Sequence, residues 1–419
     1  MTSSYKRLGD YIQEVNIRNK DLKQYPLLGV SIRKEMMTSI ANTVGTDMST
    51  YKIIKKNQFA YGPVTSRNGD KISIALSCEE KALLSQAYVV FETNNLLLPE
   101  YLMMWFRRPE FDRYARYKSH GSAREIFDWQ EMSEVMLPIP SIEKQQEIVN
   151  EYHTIQNRIN LNNQLIAKLE ETAQTIYKQW FVDFEFPTES HCEERGTSDE
   201  AISVVGYKSS GGKMVWCEEL EKEIPEGWEV SSIGTYSKVK SGFAFKSDWW
   251  QSQGIPVIKI GSISNNTIDN NALDFIDSNK FENAKNYTVK RGDIVIAMTG
   301  ATIGKIGIVP NLGKYTLVNQ RVGMFNLGEK PLNKVPFLYL VLLDDIVQKE
   351  ISNVGGDSAQ ANISNSQIEN IKIVLPKEKN INDFNLLLES TFDLILNKIE
   401  ENQKLEDLKE LLLGRMVRS

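Results

Sequence analysis

Residues 148–180 carry the pattern that most narrows what this chain can fold into. Ile148, Ile155, Asn162, Leu169 and Ile176 recur at intervals of seven, and Tyr152, Ile159, Ile166, Ala173 and Trp180 recur at a second set of sevens, a 4-3-4-3 spacing held through five heptads. No Pro or Gly interrupts 141–183, while Pro138 and Pro140 precede it and Pro187 follows. The spacing predicts a single long helix packed lengthwise against another helix, about 55–60 Å long at ~1.5 Å per residue.

The partner is found within the chain. Phe384, Leu388, Phe392, Ile395, Ile399 and Asn402 repeat the 4-3 spacing, and Leu405, Leu408, Leu412 and Met416 continue it in a slipped phase. Laid antiparallel with Asn162 facing Asn402, a single register pairs Trp180 with Phe384, Ile176 with Leu388, Leu169 with Ile395, Ile159 with Leu405, Tyr152 with Leu412 and Ile148 with Met416. A buried asparagine pair would fix that register, because a polar residue at a seam selects one alignment at some cost in stability. The alternative is that the two amides point to solvent.

The segments before the two helices also match. Leu8-Gly9 with Tyr11 corresponds to Ile233-Gly234 with Tyr236, and Lys71-Ile72-Ser73-Ile74 to Lys305-Ile306-Gly307-Ile308. Gln86 and Phe91 correspond to Gln320 and Phe325, Pro99 to Pro336, and Ser122-Ala123 to Ser358-Ala359. Strands are expected at 51–55, 59–61, 72–76, 87–91 and 134–139, with turns at Gly62-Pro63 and Asn68-Gly69 and a helix over 99–117. In the second half strands are expected at 254–260, 293–298, 305–309, 322–327 and 371–375, with helices at 338–347 and 381–416.

The expected fold class is therefore α+β: two β-rich domains joined by two long antiparallel helices, with an internal pseudo-two-fold repeat. The boundaries read as a first domain 1–140, a central helix 141–186, an acidic linker with a second domain 187–376, and a C-terminal helix 377–419. At 419 residues the chain is long for one core, which agrees with this division. It has no apolar run of about 18 residues and no secretory pattern at its start, and its three cysteines, Cys78, Cys192 and Cys217, form no disulfide framework. A cytoplasmic protein without a membrane span is expected.

The net charge of −6 is unevenly distributed. Residues 185–230 hold twelve acids and four bases, so the rest of the chain sums to +2. The stretch 101–124 is basic and aromatic, with Arg107, Arg108, Arg113, Arg116, Lys118 and Arg124 against Glu110 and Asp112. Arginine neutralises phosphate and makes two-pronged contacts to guanine, so these residues, with Arg67 and Lys71, are candidate DNA contacts. The bland alternative is a solvated helix face. The second half offers Lys240, Lys246, Lys259, Lys290, Arg291, Thr299, Lys305, Lys314 and Arg321.

No catalytic constellation is visible. His191, Cys192 and Cys217 lack the paired spacing of a zinc site. Gly300-Ala301-Thr302-Ile303-Gly304-Lys305 fails as a phosphate loop, since three residues separate its glycines where four are needed and Ile306 replaces the Ser or Thr. It reads as a strand-turn-strand whose glycines let the backbone approach a ligand such as phosphate.

The chain resembles the specificity subunits of type I restriction-modification systems along essentially its whole length. The resemblance is carried by ETAQTIYKQWFVDF (171–184), by Ile224-Pro225-Glu226-Gly227-Trp228, by Gly292-Asp293-Ile294-Val295-Ile296-Ala297 with Thr299-Gly300 through Gly307, and by Leu411-Leu412-Leu413-Gly414-Arg415. It implies a non-catalytic subunit whose two target-recognition domains each read half of a split sequence in double-stranded DNA, with the helices setting the gap. It also implies two modification subunits that methylate adenine with S-adenosylmethionine (AdoMet), and restriction subunits that use ATP and Mg; no cofactor or metal is expected here. The first half departs from the pattern, having Phe59-Ala60-Tyr61-Gly62-Pro63 where the second has Ile294-Val295-Ile296-Ala297-Met298. A helical-rod scaffold joining two proteins without DNA is the alternative, and a methyltransferase or nuclease in its own right is a third reading.

Overall fold

The computed structural model describes residues 5–41, 45–66, 69, 71–120, 125–188, 205–313, 315–355 and 362–416. The chain divides into two units, Met1–Arg158 with Leu405–Ser419, and Ile159–Lys404. Both long helices, Ile142–Tyr177 and Glu378–Arg415, run through that division.

The first unit begins with Tyr5–Arg7 paired antiparallel to Met136–Pro138, which brings the two ends of the domain together at the root of the central helix. Its four-stranded antiparallel sheet has the order Ile12–Val15, Val89–Thr93, Phe59–Tyr61, Ile74–Leu76. A second sheet has the order Met36–Thr38, Leu27–Val30, Lys81–Leu84, Lys52–Lys55, with Leu27–Val30 parallel to Lys81–Leu84. Successive side chains of a strand alternate in direction. Phe59 and Tyr61 therefore enter the core under the helices, while Ala60 packs with Ile54, Ala82 and Leu84 between the sheets.

The second unit repeats this plan. Glu229–Ser232 pairs with Lys372–Leu375. Val239–Ser241, Val322–Phe325, Ile294–Ala297 and Ile306–Ile308 form the same sheet, extended by Thr267–Ile268 and Ile263–Ser264. Ile255–Ile258 lies parallel to Thr316–Val318 in the other sheet. Ile294 and Ile296 face the helices, and Val295 and Ala297 face the second sheet, so burial on both faces accounts for the unbroken apolar run. Helices Val335–Leu343 and Asp345–Gly355 follow, as Pro99–Arg107 and Pro109–Lys118 do in the first unit.

The Leu-Gly and Ile-Gly pairs have a geometric reason. The Leu8 N–H donates to the Val135 carbonyl at 2.8 Å, and the Ile233 N–H to the Ile371 carbonyl at 3.0 Å. A Cβ on Gly9 would lie 2.9 Å from Ser133 Cβ, and one on Gly234 would lie 2.7 Å from Glu369 Cβ, so each site admits only glycine without movement.

Five expectations need correction. The helices expected at 99–117 and 338–347 are each two helices: Pro109 forces Arg108 into extended backbone, and Asp344 is likewise extended between Val335–Leu343 and Asp345–Gly355. The stretch 187–223 is not all linker: Met214–Cys217 pairs with Lys222–Pro225, and Phe186 stacks on Tyr207 and Trp228 at 4.6 and 5.1 Å. Lys305 is the counterpart of Ser73 rather than Lys71, since Gly62 N–H to Ser73 O matches Ala297 N–H to Lys305 O. The first unit's connection is three residues longer, which sequence matching alone had absorbed as a shift. Leu408 is exposed; Lys409 takes the seam position, its stem covered and its Nζ donating to Gln156 Oε1 at 3.3 Å. Ser122-Ala123, Ser358-Ala359, His191 and Cys192 lie outside the described residues.

Candidate nucleic-acid interface

The basic stretch of the first unit is divided by its own folding. Arg108 is buried, stacked 4.4 Å above the Trp105 ring and paired with Glu110 at 3.3 Å. Arg107 donates from Nη1 to the Tyr152 hydroxyl at 2.7 Å, tying this helix to the central one. Arg108 is thus held inside the domain, while Arg107 remains exposed beside its tie to Tyr152.

The next helix differs because its acids are engaged elsewhere. Asp112 forms a 2.8 Å ion pair with the buried Lys34 and accepts the Ile72 N–H at 3.2 Å. Burial lowers the Lys34 pKa, and the Asp112 carboxylate works against that shift. Arg113 is exposed and lies 3.5 Å from Glu110; Arg116 pairs with Glu125; Lys118 lies 3.2 Å from Glu131, whose hydrogen bond and charge raise its pKa. Exposed pairs of this kind are weak in water, so the cations stay available for phosphate. Lys71 is exposed, and Arg67 and Arg124 lie outside the described residues.

In the second unit Lys240 lies 4.4 Å above the Tyr287 ring and donates to the Asn286 carbonyl, while Lys259 sits 3.6 Å above Trp250 and 3.0 Å from Asp274. Lys246 and Lys305 are exposed. Arg291 faces its own chain: its guanidinium reaches Asp393 and Glu400, each at 2.7 Å, and Asn397 at 2.9 Å, all on the C-terminal helix. Lys314 lies outside the described residues.

Arg321 and Thr299 open onto a cleft of about 890 Å³, together with Gln320, Asn362, Asn365 and Ser366. No Asp or Glu lines it, and Arg321 has no carboxylate partner among the described residues. Gly300 at φ +70 turns the chain at its rim, a backbone region that side chains disfavour. Ser241 Oγ donates to Asn365 Oδ1 at 2.8 Å, which fixes that amide. The sequence reading missed Gln320, next to Arg321, and Asn362 and Asn365, which stand about 40 residues further along the chain.

Along the helices the low-exposure positions follow the heptads. Ile148, Tyr152, Ile159, Asn162 and Trp180 are buried, and Leu169 and Ile176 half-buried, as are Phe384, Leu388, Ile395 and Leu412 buried and Asn402 and Leu405 half-buried. In the second unit the Trp180 and Phe384 rings lie 5.5 Å apart, and Ile176 packs into the cluster that holds Leu388. In the first unit Ile148, Tyr152, Leu412 and Met416 share one core. Asn162 Nδ2 donates to Asn402 Oδ1 at 2.9 Å.

Among the described residues no group of three or more His, Cys, Asp or Glu is placed to hold a metal, and no helix is long and apolar enough to cross a membrane. The repeated sheet-and-helix domain followed by a long helix defines the class. A family model described as the type I restriction modification DNA specificity domain matches residues 15–171 and again 225–410, and the chain belongs to that family. It is similar to the HindI specificity subunit of Haemophilus influenzae, 23% identical over 98% of this chain and 97% of that protein. It is also 25% identical to the MjaIX specificity subunit of Methanocaldococcus jannaschii, over 77% of this chain and 68% of that protein. The crystal structure of the type I restriction-modification S subunit from M. genitalium shares the fold, with a TM-score of 0.53 at 15% identity, over 99% of this chain and 95% of that one.

Proposed function

We propose that this chain is the DNA-recognition subunit of a type I restriction-modification complex, reading a bipartite target with one half per domain. The observation that carries the reading is the family match falling twice, once on each of two domains with the same strand order. Phosphate contacts position such a protein and base contacts specify its target. Lys71, Arg107, Arg113, Arg116 and Lys118 are the contacts proposed for the first domain, and Lys240, Lys246, Lys259, Thr299, Lys305 and Arg321 for the second. Arg67 and Arg124 remain proposed from sequence alone.

The helices 141–186 and 377–419 act in this reading as an antiparallel coiled-coil spacer whose length sets the gap between half-targets. Their outward leucines, including Leu161, Leu386, Leu387 and Leu411, are exposed and suit docking of two modification subunits. Those subunits would bring AdoMet, and restriction subunits ATP and Mg, in the cytoplasm, while this chain supplies recognition and no chemistry. Methylation mapping of the host genome with and without this gene tests the proposal: loss of one bipartite methylated motif supports it. Retention of every motif, with DNA binding that does not weaken as salt rises, would favour a scaffold without DNA contact.

A further inference from the structure

The two domains share a fold but differ at part of the lining of the cleft. The bridge Thr299–Asn362 has its counterpart in Val64–Ile126, and the Ile363 N–H to Met298 carbonyl bond in that from Phe127 to Pro63. Val90 opposite Ala60 matches Met324 opposite Val295, which aligns Ala87 with Arg321. Asp128 and Ser364 cap corresponding helices, so Trp129 aligns with Asn365. Four apolar residues of the first domain, Val64, Ala87, Ile126 and Trp129, are thus Thr299, Arg321, Asn362 and Asn365 in the second.

At these four positions the fold does not require polarity, whereas Gln320, Ser364 and Ser366 keep polar counterparts in Gln86, Asp128 and Gln130. In the second domain Thr299 is only 9% exposed, and its Oγ1 has no hydrogen-bond partner among the described residues. A buried unpaired hydroxyl is unfavourable, and valine at the same place avoids that cost. Its place in the wall of a cleft that has no Asp or Glu among its described lining residues, beside an arginine with no carboxylate partner among the described residues, points to an anionic ligand.

We propose that this cleft holds a backbone phosphodiester of the bound DNA, giving the second domain a sequence-independent anchor built on Thr299, Arg321, Asn362 and Asn365, for which the first domain has apolar residues. The inference rests on the DNA-recognition reading above. Hydroxyls, carboxamides and a guanidinium suit phosphate oxygens. Among the described residues no aromatic ring lines the cleft to stack on an extruded base. Its concavity suits a backbone group better than the base edges of a major groove, which side chains reach by projecting.

The test uses the chain assembled with its modification subunits, and two duplexes of equal length: the target found by methylation mapping and an unrelated sequence. Binding is measured over a series of KCl concentrations. Arg321→Ala should weaken both duplexes by about 10-fold and reduce the salt slope by about 0.9, the value for one phosphate. Thr299→Val should melt at the same or a higher temperature, as Val64 indicates, yet bind both duplexes more weakly. A loss confined to the target, with one motif position relaxed, would overturn the proposal in favour of base reading. Unchanged affinity in both variants would also overturn it. If the unaltered complex binds neither duplex in a salt-dependent way, the DNA-recognition reading fails first and this inference with it.

Discussion

Asn162 Nδ2 donates to Asn402 Oδ1 at 2.9 Å, and Asn402 Nδ2 donates in turn to Asn163 Oδ1 at 2.8 Å. Asn162 is nearly inaccessible, flanked along its seam by Ile159 and the half-buried Ile166. A one-heptad slip would set this amide against Ile395 in one direction and replace its amide partner by Lys409 in the other, so the pair penalises other alignments. Replacing both Asn162 and Asn402 by Leu should raise the melting temperature by a few degrees and broaden the range of helix alignments. Disulfide trapping between cysteines placed on facing positions would detect the alternative registers. A variant that is no more stable and still traps only one register would contradict this role.

Arg291 is tied to three side chains of the C-terminal helix, and Glu400 also accepts the Asn311 N–H at 3.0 Å. Arg291→Ala would leave the partly buried Glu400 without its cation. The expected loss is about 1–3 kcal/mol, read by denaturant unfolding, with target and unrelated DNA bound as before once the protein is folded. A fall in the salt slope instead would show that Arg291 contacts phosphate.

Legibility followed length and locality. The heptads were visible because an uninterrupted helix repeats its pattern many times, whereas Thr267–Ile268 and Thr288–Val289 are too short to show alternation. The charge run at 107–118 was visible, but the burial of Arg108 depends on the bend at Pro109 that swings it onto Trp105. The cleft draws on Ser241, Thr299, Arg321 and Asn365, which only the sheet order brings together. One signal for it did exist in the sequence. Aligning the two repeats sets Val64 against Thr299 and Ala87 against Arg321, and the change in polarity marks the place.

Asp293 follows Gly292 at the turn before Ile294–Ala297, where its Oδ2 accepts the Lys290 N–H at 2.8 Å. Burial pushes its pKa up to about 6, against the opposing effects of that hydrogen bond and of the Lys290 charge. A carboxyl whose folded pKa is raised is favoured in its protonated form. Its penalty is absent below the unfolded value near 3.8, grows as pH rises, and is complete above about 6. Asp293→Asn keeps an acceptor for Lys290 and removes the charge. It should stabilise the protein by about 1–3 kcal/mol at neutral pH and by little near pH 4. Equal effects in thermal melts at both pH values would show that the carboxyl does not titrate in this range.

The helix pair offers the most direct test of how spacing is set. The register that places Asn162 on Asn402 also places Ile166 at the level of Lys398, so a heptad inserted at both points preserves every pairing on either side. Seven residues add about 10.5 Å of helix, equivalent to roughly 3 base pairs at ~3.4 Å per pair. The recognition domains and the cleft of the second are untouched by the insertion. Methylation mapping with the lengthened protein should therefore return the same two half-sequences separated by a longer gap. An insertion in one helix alone would misalign the seam below it, and should lower the melting temperature and abolish methylation rather than lengthen the gap. Altered half-sequences in the double insertion would mean that the helices take part in reading bases, and the division of labour between domains and helices would have to be abandoned.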